Sequence, residues 1–237
     1  MLNPHCGIWY EVDNVNIPKF SRLPRHIVLI PDGNRRWAQQ HGLPKEAGYA
    51  AGLAPVEQFC DICLALGIEE MTAYGFTMDN TKRPSEQRVA FQRACVRAVE
   101  ILHSRDVAIL VVGNDESPMF PRELLPYRTR QNNEQGKLRG NLLVNYDWNW
   151  DLRQAMRDEA TRKRSRKDFL RTIGSADVSR IDLVIRWGGR RRLSGLLPVQ
   201  SVYADFYVID DYWPDFQPEQ FFEALRWYET QDVTLGG

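Results

Sequence analysis

The sequence predicts an α/β fold: an open, mostly parallel six-stranded sheet flanked by helices. Short apolar runs of strand length alternate with segments of helical period, the order in which parallel strands and their crossovers read. Runs such as Ile27–Ile30 and Val107–Val112 are apolar throughout, as suits strands buried on both faces. The chain is also long enough, at 237 residues with 43% apolar, to bury a full core without disulfide or metal staples.

Residues 1–24 hold three prolines and no clear period, and read as an N-terminal extension before a single domain over 25–237. The first strand spans His26 to Pro31 and feeds a turn signal, Asp32-Gly33-Asn34. Helical period resumes near Arg35, and a second helix is expected from about Tyr49 to Leu66. A strand follows from Glu69 to Phe76, then a helix opened by Pro84 and running to about His103. Further strands are expected at 107–112, 142–145, 181–185 and 205–209, with a last helix from Pro218 to Trp227. The highly charged stretch 157–168 reads as a loop or a solvated helix face.

Lys plus Arg is 31 and Asp plus Glu is 31, so the net charge is zero, which argues against a nucleic-acid binder. Only six of the bases are Lys, so Arg dominates, the side chain suited to gripping planar polyanions. Cys60 and Cys63 have CxxC spacing, but no second pair follows, and they share a helical face with Val56 and Leu66. Core packing is the simpler role. No stretch approaches the roughly 18 apolar residues of a membrane span, and the N-terminus lacks a basic-then-apolar leader. The reading is a reduced, cytoplasmic protein with no integral membrane segment.

Ligands of open α/β sheets bind beyond the carboxyl ends of the strands. That rule selects 32–36, 77–83 and 186–194, all rich in Arg, Asn, Ser/Thr and Gly. In Asp32-Gly33-Asn34-Arg35-Arg36-Trp37 a glycine turn enters a helix, where backbone N–H groups and an Arg fork suit a phosphate. Asp32 is a hard oxygen ligand beside it, as Mg²⁺ at a diphosphate requires. A plain turn with two solvated arginines explains this stretch equally well on its own.

Further motifs occur in order. They are Tyr74-Gly-Phe-Thr77-Met-Asp-Asn80-Thr-Lys-Arg83-Pro84, Asn145-Tyr146 with Trp150-Asp151, and Arg186-Trp-Gly188-Gly189-Arg-Arg-Arg192-Leu-Ser194. Tyr203-Ala-Asp205-Phe-Tyr and Trp213-Pro-Asp-Phe216 complete the set. Together with 26–38 and Gly42, Gly48 and Gly52, the chain resembles the cis-prenyltransferases, the family of undecaprenyl and dehydrodolichyl diphosphate synthases.

The resemblance implies a Mg²⁺-dependent prenyltransferase acting on small prenyl diphosphates, with the cis-prenyltransferase fold, as a homodimer. It assigns Asp32 and Asp205 to the metal, and Asp32, Asn80 and Arg36 to catalysis. Gly33, Asn34, Arg35, Arg36 and Trp37 would hold the allylic diphosphate, with Lys45, Tyr49, Thr77 and Arg83 completing the substrate site. Arg186, Arg192 and Ser194 would form the second diphosphate clamp.

Departures cluster in these motifs. Tyr49 stands for a histidine, Lys45 for an arginine, Thr81 for a tryptophan, and Arg190 for an acidic residue. Asp147-Trp148 replaces a small pair, and Pro198 replaces an aromatic in a segment read as helical. Gly48-Tyr49-Ala50-Ala51 and Pro198 resemble the irregular lavandulyl-type subgroup, which joins prenyl units head-to-middle. That implies condensation of dimethylallyl or geranyl diphosphate with dimethylallyl diphosphate, isosesquilavandulyl diphosphate being the leading product. The alternative is a short-chain cis elongase using isopentenyl diphosphate head-to-tail. A non-catalytic subunit is disfavoured by retention of Asp32, Arg186, Arg192 and Ser194. A terpene cyclase is disfavoured because Asp210-Asp211-Tyr-Trp-Pro-Asp215 is one residue too long for its motif.

Overall fold

The structure is a computed structural model that describes residues 10–12, 15–131, 136–157 and 165–232. Most of the charged stretch 157–168 and the last five residues lie outside these. The described part of the expected extension forms a two-stranded antiparallel pair, β1 (Tyr10–Val12) and β2 (Val15–Ile17), and Ile17 is buried in the main core.

Six strands make one sheet: β3 (His26–Ile30), β4 (Glu70–Tyr74), β5 (Val107–Val112), β6 (Leu138–Leu143), β7 (Leu183–Arg186) and β8 (Asp205–Val208). Their spatial order is β5-β6-β4-β3-β7-β8, and every pairing is parallel rather than most of them. Alternate residues supply two cores. Ile27, Leu29, Met71, Ile109 and Ile185 face one, and Val28, Ile30, Leu110, Leu143 and Val184 face the other.

The helices are α1 (Asn34–Gln40), α2 (Ala47–Ala51), α3 (Leu53–Leu66), α4 (Ser85–His103), α5 (Trp148–Gln154), α6 (Arg166–Leu170) and α7 (Pro218–Glu229). The single helix expected over 49–66 is thus two. Gly52 separates them because its carbonyl accepts the Trp213 indole N–H at 2.8 Å and a side chain there would meet Asn34 and Trp213. Cys60 and Cys63 are buried free thiols of α3, with burial pushing Cys60 up to about 12 and Cys63 also upward.

The strand expected at 142–145 begins earlier, at Leu138. Arg139 and Asn141 hide it in the sequence by interrupting the apolar run, yet tertiary partners satisfy both. Asn141 donates to Glu70 Oε1 at 2.6 Å and Thr72 Oγ1 at 2.9 Å. Pro198 lies among turns, not in a helix, consistent with its missing N–H.

The topology creates one crevice. β3 and β7 are neighbours, but the chain leaves β3 toward β4 and leaves β7 toward β8. Connections that diverge from adjacent parallel strands open a gap above their carboxyl ends. The loops bordering that gap begin at Pro31 and at Trp187.

Candidate active site

A cleft of about 730 Å³ occupies this crevice. Its walls include Asp32, Gly33, Asn34, Arg35, Arg36, Lys45, Tyr49, Thr77, Asn80, Arg83, Arg186, Arg192 and Ser194. Four separate connections therefore deliver the predicted residues to one place. Seven cationic side chains face three carboxylates there, so the neutral chain carries a strongly basic cleft.

At the floor, Gly33 adopts φ 101°, a left-handed conformation, and a Cβ on it would lie 2.6 Å from the Tyr212 ring. This turn lets Asp32 Oδ1 accept the Gly33 N–H at 2.7 Å. Arg36, one helical turn on, donates to Gly188 O at 2.8 Å, lies 3.6 Å from Asp32 Oδ1 and stacks over Tyr212. Gly188 must be glycine: its φ is 83° and a Cβ would press on the Arg36 guanidinium at 2.7 Å.

On the β7 side, Arg186 is buried and donates to Asp32 Oδ2 at 2.7 Å, Ser194 Oγ at 2.9 Å and the Arg192 carbonyl. Burial alone would raise the Asp32 carboxyl, but the hydrogen bond and charge of Arg186 outweigh it and hold the group below its ordinary value. The Tyr74 hydroxyl donates to Ser194 O at 2.8 Å, fixing the loop that bears the clamp.

The opposite wall is aromatic. Tyr49 and Phe91 stack with centroids 4.6 Å apart and planes 6° from parallel, and Phe76 meets Phe91 edge-on. Arg83 donates to Tyr49 Oη at 2.9 Å and lies over Phe91. Burial raises the Tyr49 hydroxyl and lowers Arg83. A 3₁₀ turn over Met78–Lys82 places the buried Asn80, and Trp148 lies half-exposed against Gly195.

Two of the expected site residues lie apart from the cleft lining. Trp37 turns out of the cleft, donating to Asp215 Oδ1 at 2.6 Å and stacking on His41, because it follows Arg36 by about 100° around α1. Asp205 does not reach Asp32 within the chain. It opens β8 opposite Leu183, three residues before Val208 pairs with Arg186, so it lies roughly 10 Å along the strand from the clamp. Burial raises its carboxyl, away from the cleft's arginines.

Sequence reasoning passed over Tyr74, Phe91 and Gln39 as site residues. Tyr74 ends a strand at the carboxyl side, a signal that was available; Phe91 reads only as part of a core stripe. Arg190 lines both the cleft and an adjoining hollow of about 530 Å³ that also holds Asp210 and Asp211. Asp210, Asp211 and Asp215 lie around a turn and a short 3₁₀ segment, and Trp213 among them is core.

A parallel α/β sheet with a basic, glycine-lined cleft at its switch point belongs to the class of folds that bind ligands there, and its basic lining suits an anionic one. The undecaprenyl diphosphate synthase family model matches residues 30–236, and the chain belongs to this family of prenyltransferases. It is 32% identical over 232 residues to an isoprenyl transferase of Nitrosomonas europaea, covering 93% of this chain and 88% of that one. It is likewise 32% identical over 231 residues to the ditrans,polycis-undecaprenyl-diphosphate synthase ((2E,6E)-farnesyl-diphosphate specific) of Pseudomonas putida, covering 91% and 92%. Among solved structures, lavandulyl diphosphate synthase from Lavandula x intermedia, in complex with dimethylallyl diphosphate, shares the fold. The TM-score is 0.78 at 21% identity, over 90% of this chain and 98% of that one.

Proposed function

We propose that the chain condenses dimethylallyl or geranyl diphosphate with dimethylallyl diphosphate head-to-middle, giving a short branched lavandulyl-type diphosphate, best matched by isosesquilavandulyl diphosphate. The observation that carries this is the pair of guanidinium clamps, Arg36 and Arg186, set on either side of Asp32. Such a site suits two diphosphates held side by side. Tyr49, Pro198 and the fold shared with a lavandulyl synthase support the head-to-middle connection, and the aromatic wall of Tyr49 and Phe91 suits short tails.

In this reading the allylic carbon–oxygen bond breaks and its electron pair leaves with the diphosphate, whose growing charge Arg35 and Arg36 stabilise. Arg186, Arg192 and Ser194 align the acceptor so that its double bond attacks the allylic carbon. A carbon–carbon bond forms and a tertiary cation remains on the acceptor. The departed diphosphate takes one proton from it, with Asn80 as an orienting group.

The donor set of the cleft fits Mg²⁺. One partly exposed carboxylate, Asp32, together with phosphate oxygens of the substrate is a common arrangement for this ion. Among the described residues no cluster of three or more His, Cys, Asp or Glu side chains offers an all-protein site. Bound at Asp32, the ion would supply positive charge toward a leaving diphosphate. The reading includes a homodimer in the cytoplasm, for which sedimentation velocity tests the assembly. No described helix is long and apolar enough to cross a membrane.

The test is incubation with Mg²⁺ and dimethylallyl diphosphate, with and without geranyl or isopentenyl diphosphate, followed by mass spectrometry and NMR of the product. Branched products made without isopentenyl diphosphate support the proposal. Incorporation of isopentenyl diphosphate into linear cis chains replaces it with the elongase reading, which the names of the 32%-identical relatives favour.

A further inference from the structure

Asp32 is committed twice. Its Oδ1 faces Arg36 at 3.6 Å and accepts the Gly33 N–H, and its Oδ2 accepts from Arg186 at 2.7 Å. Arg36 stands on the allylic side of the cleft and Arg186 in the second clamp, so one carboxylate is the counter-ion of both sides.

Arg186 has little freedom to serve another anion meanwhile. Its side chain is 5% exposed, and its Nη1 is held by Ser194 Oγ and the Arg192 carbonyl. Its Nε is buried with no protein partner. The guanidinium is anchored on one edge, and the nitrogen on its other edge, Nη2, is spent on Asp32. An anion reaching Arg186 finds its charge already shared with Asp32, and it competes with that carboxylate for the same N–H groups.

We infer that Asp32 masks the second diphosphate clamp: its carboxylate holds Arg186 at 2.7 Å, and engaging or removing that carboxylate opens the clamp to an anion. The inference rests on the two-clamp reading above and adds regulation to it. Anything that takes up the charge of Asp32, a divalent cation above all, couples the two sides, so that filling one raises the affinity of the other by the same factor. The clamps are then not independent, and acceptor capture follows charge neutralisation at Asp32.

The test is calorimetric binding of inorganic pyrophosphate in EDTA, so that no metal and no turnover enter. Asp32→Asn is expected to bind roughly tenfold more tightly than wild type, the scale of coupled sites. Asp147→Asn, which removes a cleft carboxylate that does not touch Arg186, controls for the general loss of negative charge and is expected to change affinity less than about twofold. In an Arg186→Gln background the Asp32→Asn gain is expected to vanish, since the double-mutant cycle isolates the pair. Asp32→Ser is the second variant if the asparagine form does not fold. No tightening on removing Asp32, a gain matched by Asp147→Asn, or a gain surviving in Arg186→Gln would each overturn the mask. Product analysis with wild type tests the prenyl-transfer reading separately, so the two can fail independently.

Discussion

The two ends of the sheet carry similar side chains and treat them differently. At the amino end, His26, Glu70, Thr72, Asn141, Arg130 and Arg139 close into one network. His26 Nδ1 donates to the Ser179 carbonyl at 3.1 Å, and Nε2 lies within hydrogen-bond distance of Thr72 Oγ1 at 2.8 Å. Thr72 and Glu70 accept from Asn141, whose Oδ1 accepts from Arg130 at 2.7 Å, and Arg139 lies 3.2 Å from Glu70. At the carboxyl end, buried polar atoms of Asn34, Asn114, Asn145 and Arg186 have no protein partner. Each belongs to a strand end or the loop directly after it. A polar network closed on itself supports the fold, whereas two of the residues with open atoms, Asn34 and Arg186, line the cleft.

The sharpest way to break this contrast is Asp32→Ala. Turnover is expected to fall roughly a thousandfold or more, read by steady-state kinetics on folded protein; retained activity would remove Asp32 from the reaction. Next, Asn141→Leu strands Glu70, Thr72 and Arg130 without a shared partner. It is expected to destabilise the fold by about 3 kcal/mol in urea denaturation, while product identity in the remaining folded enzyme is unchanged. Arg192→Ala, exposed in the cleft, is expected to do the reverse. Acceptor diphosphate binding weakens by about 1.5–3 kcal/mol with little change in the urea midpoint.

The amino end also titrates in a defined direction. Burial lowers the pKa of His26 despite the opposing charge of Glu70, so the folded state binds fewer protons than the unfolded chain. Its contribution is fully present above pH 6.5 and is lost as pH falls from there toward the lowered folded value. Urea midpoints across pH 5–8 should decline on the acid side in wild type and decline less in His26→Gln. The smallest effect is expected from Tyr49→Phe. The stack on Phe91 is kept and the Arg83 hydrogen bond lost, changing KM by less than about tenfold, at about 1 kcal/mol, with product length unchanged. Longer products from this variant would show that the hydroxyl, not the ring, limits the tail.

Much of the fold is legible from local pattern because β3, β5 and β7 are built on apolar runs with turns after them. β6 escaped in part because Arg139 and Asn141 are polar for reasons that lie on other strands. The break at Gly52 escaped because Trp213, 161 residues away, makes it. The site was legible to a similar degree. Asp32, Arg36, Arg83, Arg186, Arg192 and Ser194 line one cleft at the carboxyl ends of the strands, the place that the carboxyl-end rule selects. Trp37 and Asp205 do not line it, since motif membership does not say which way a side chain points, and Asp205 opens its strand.

By itself, then, the sequence determined the alternation of buried strands and helices, the loops at which an anion binds, and the family. These are local properties, written in apolar runs, glycine turns and ordered motifs. Only the tertiary structure decided that β3 lies beside β7 and that Asp32 thereby pairs with Arg186 across 154 residues of chain. Both depend on strand order and register, which are set by packing among distant segments and leave no mark in any one of them.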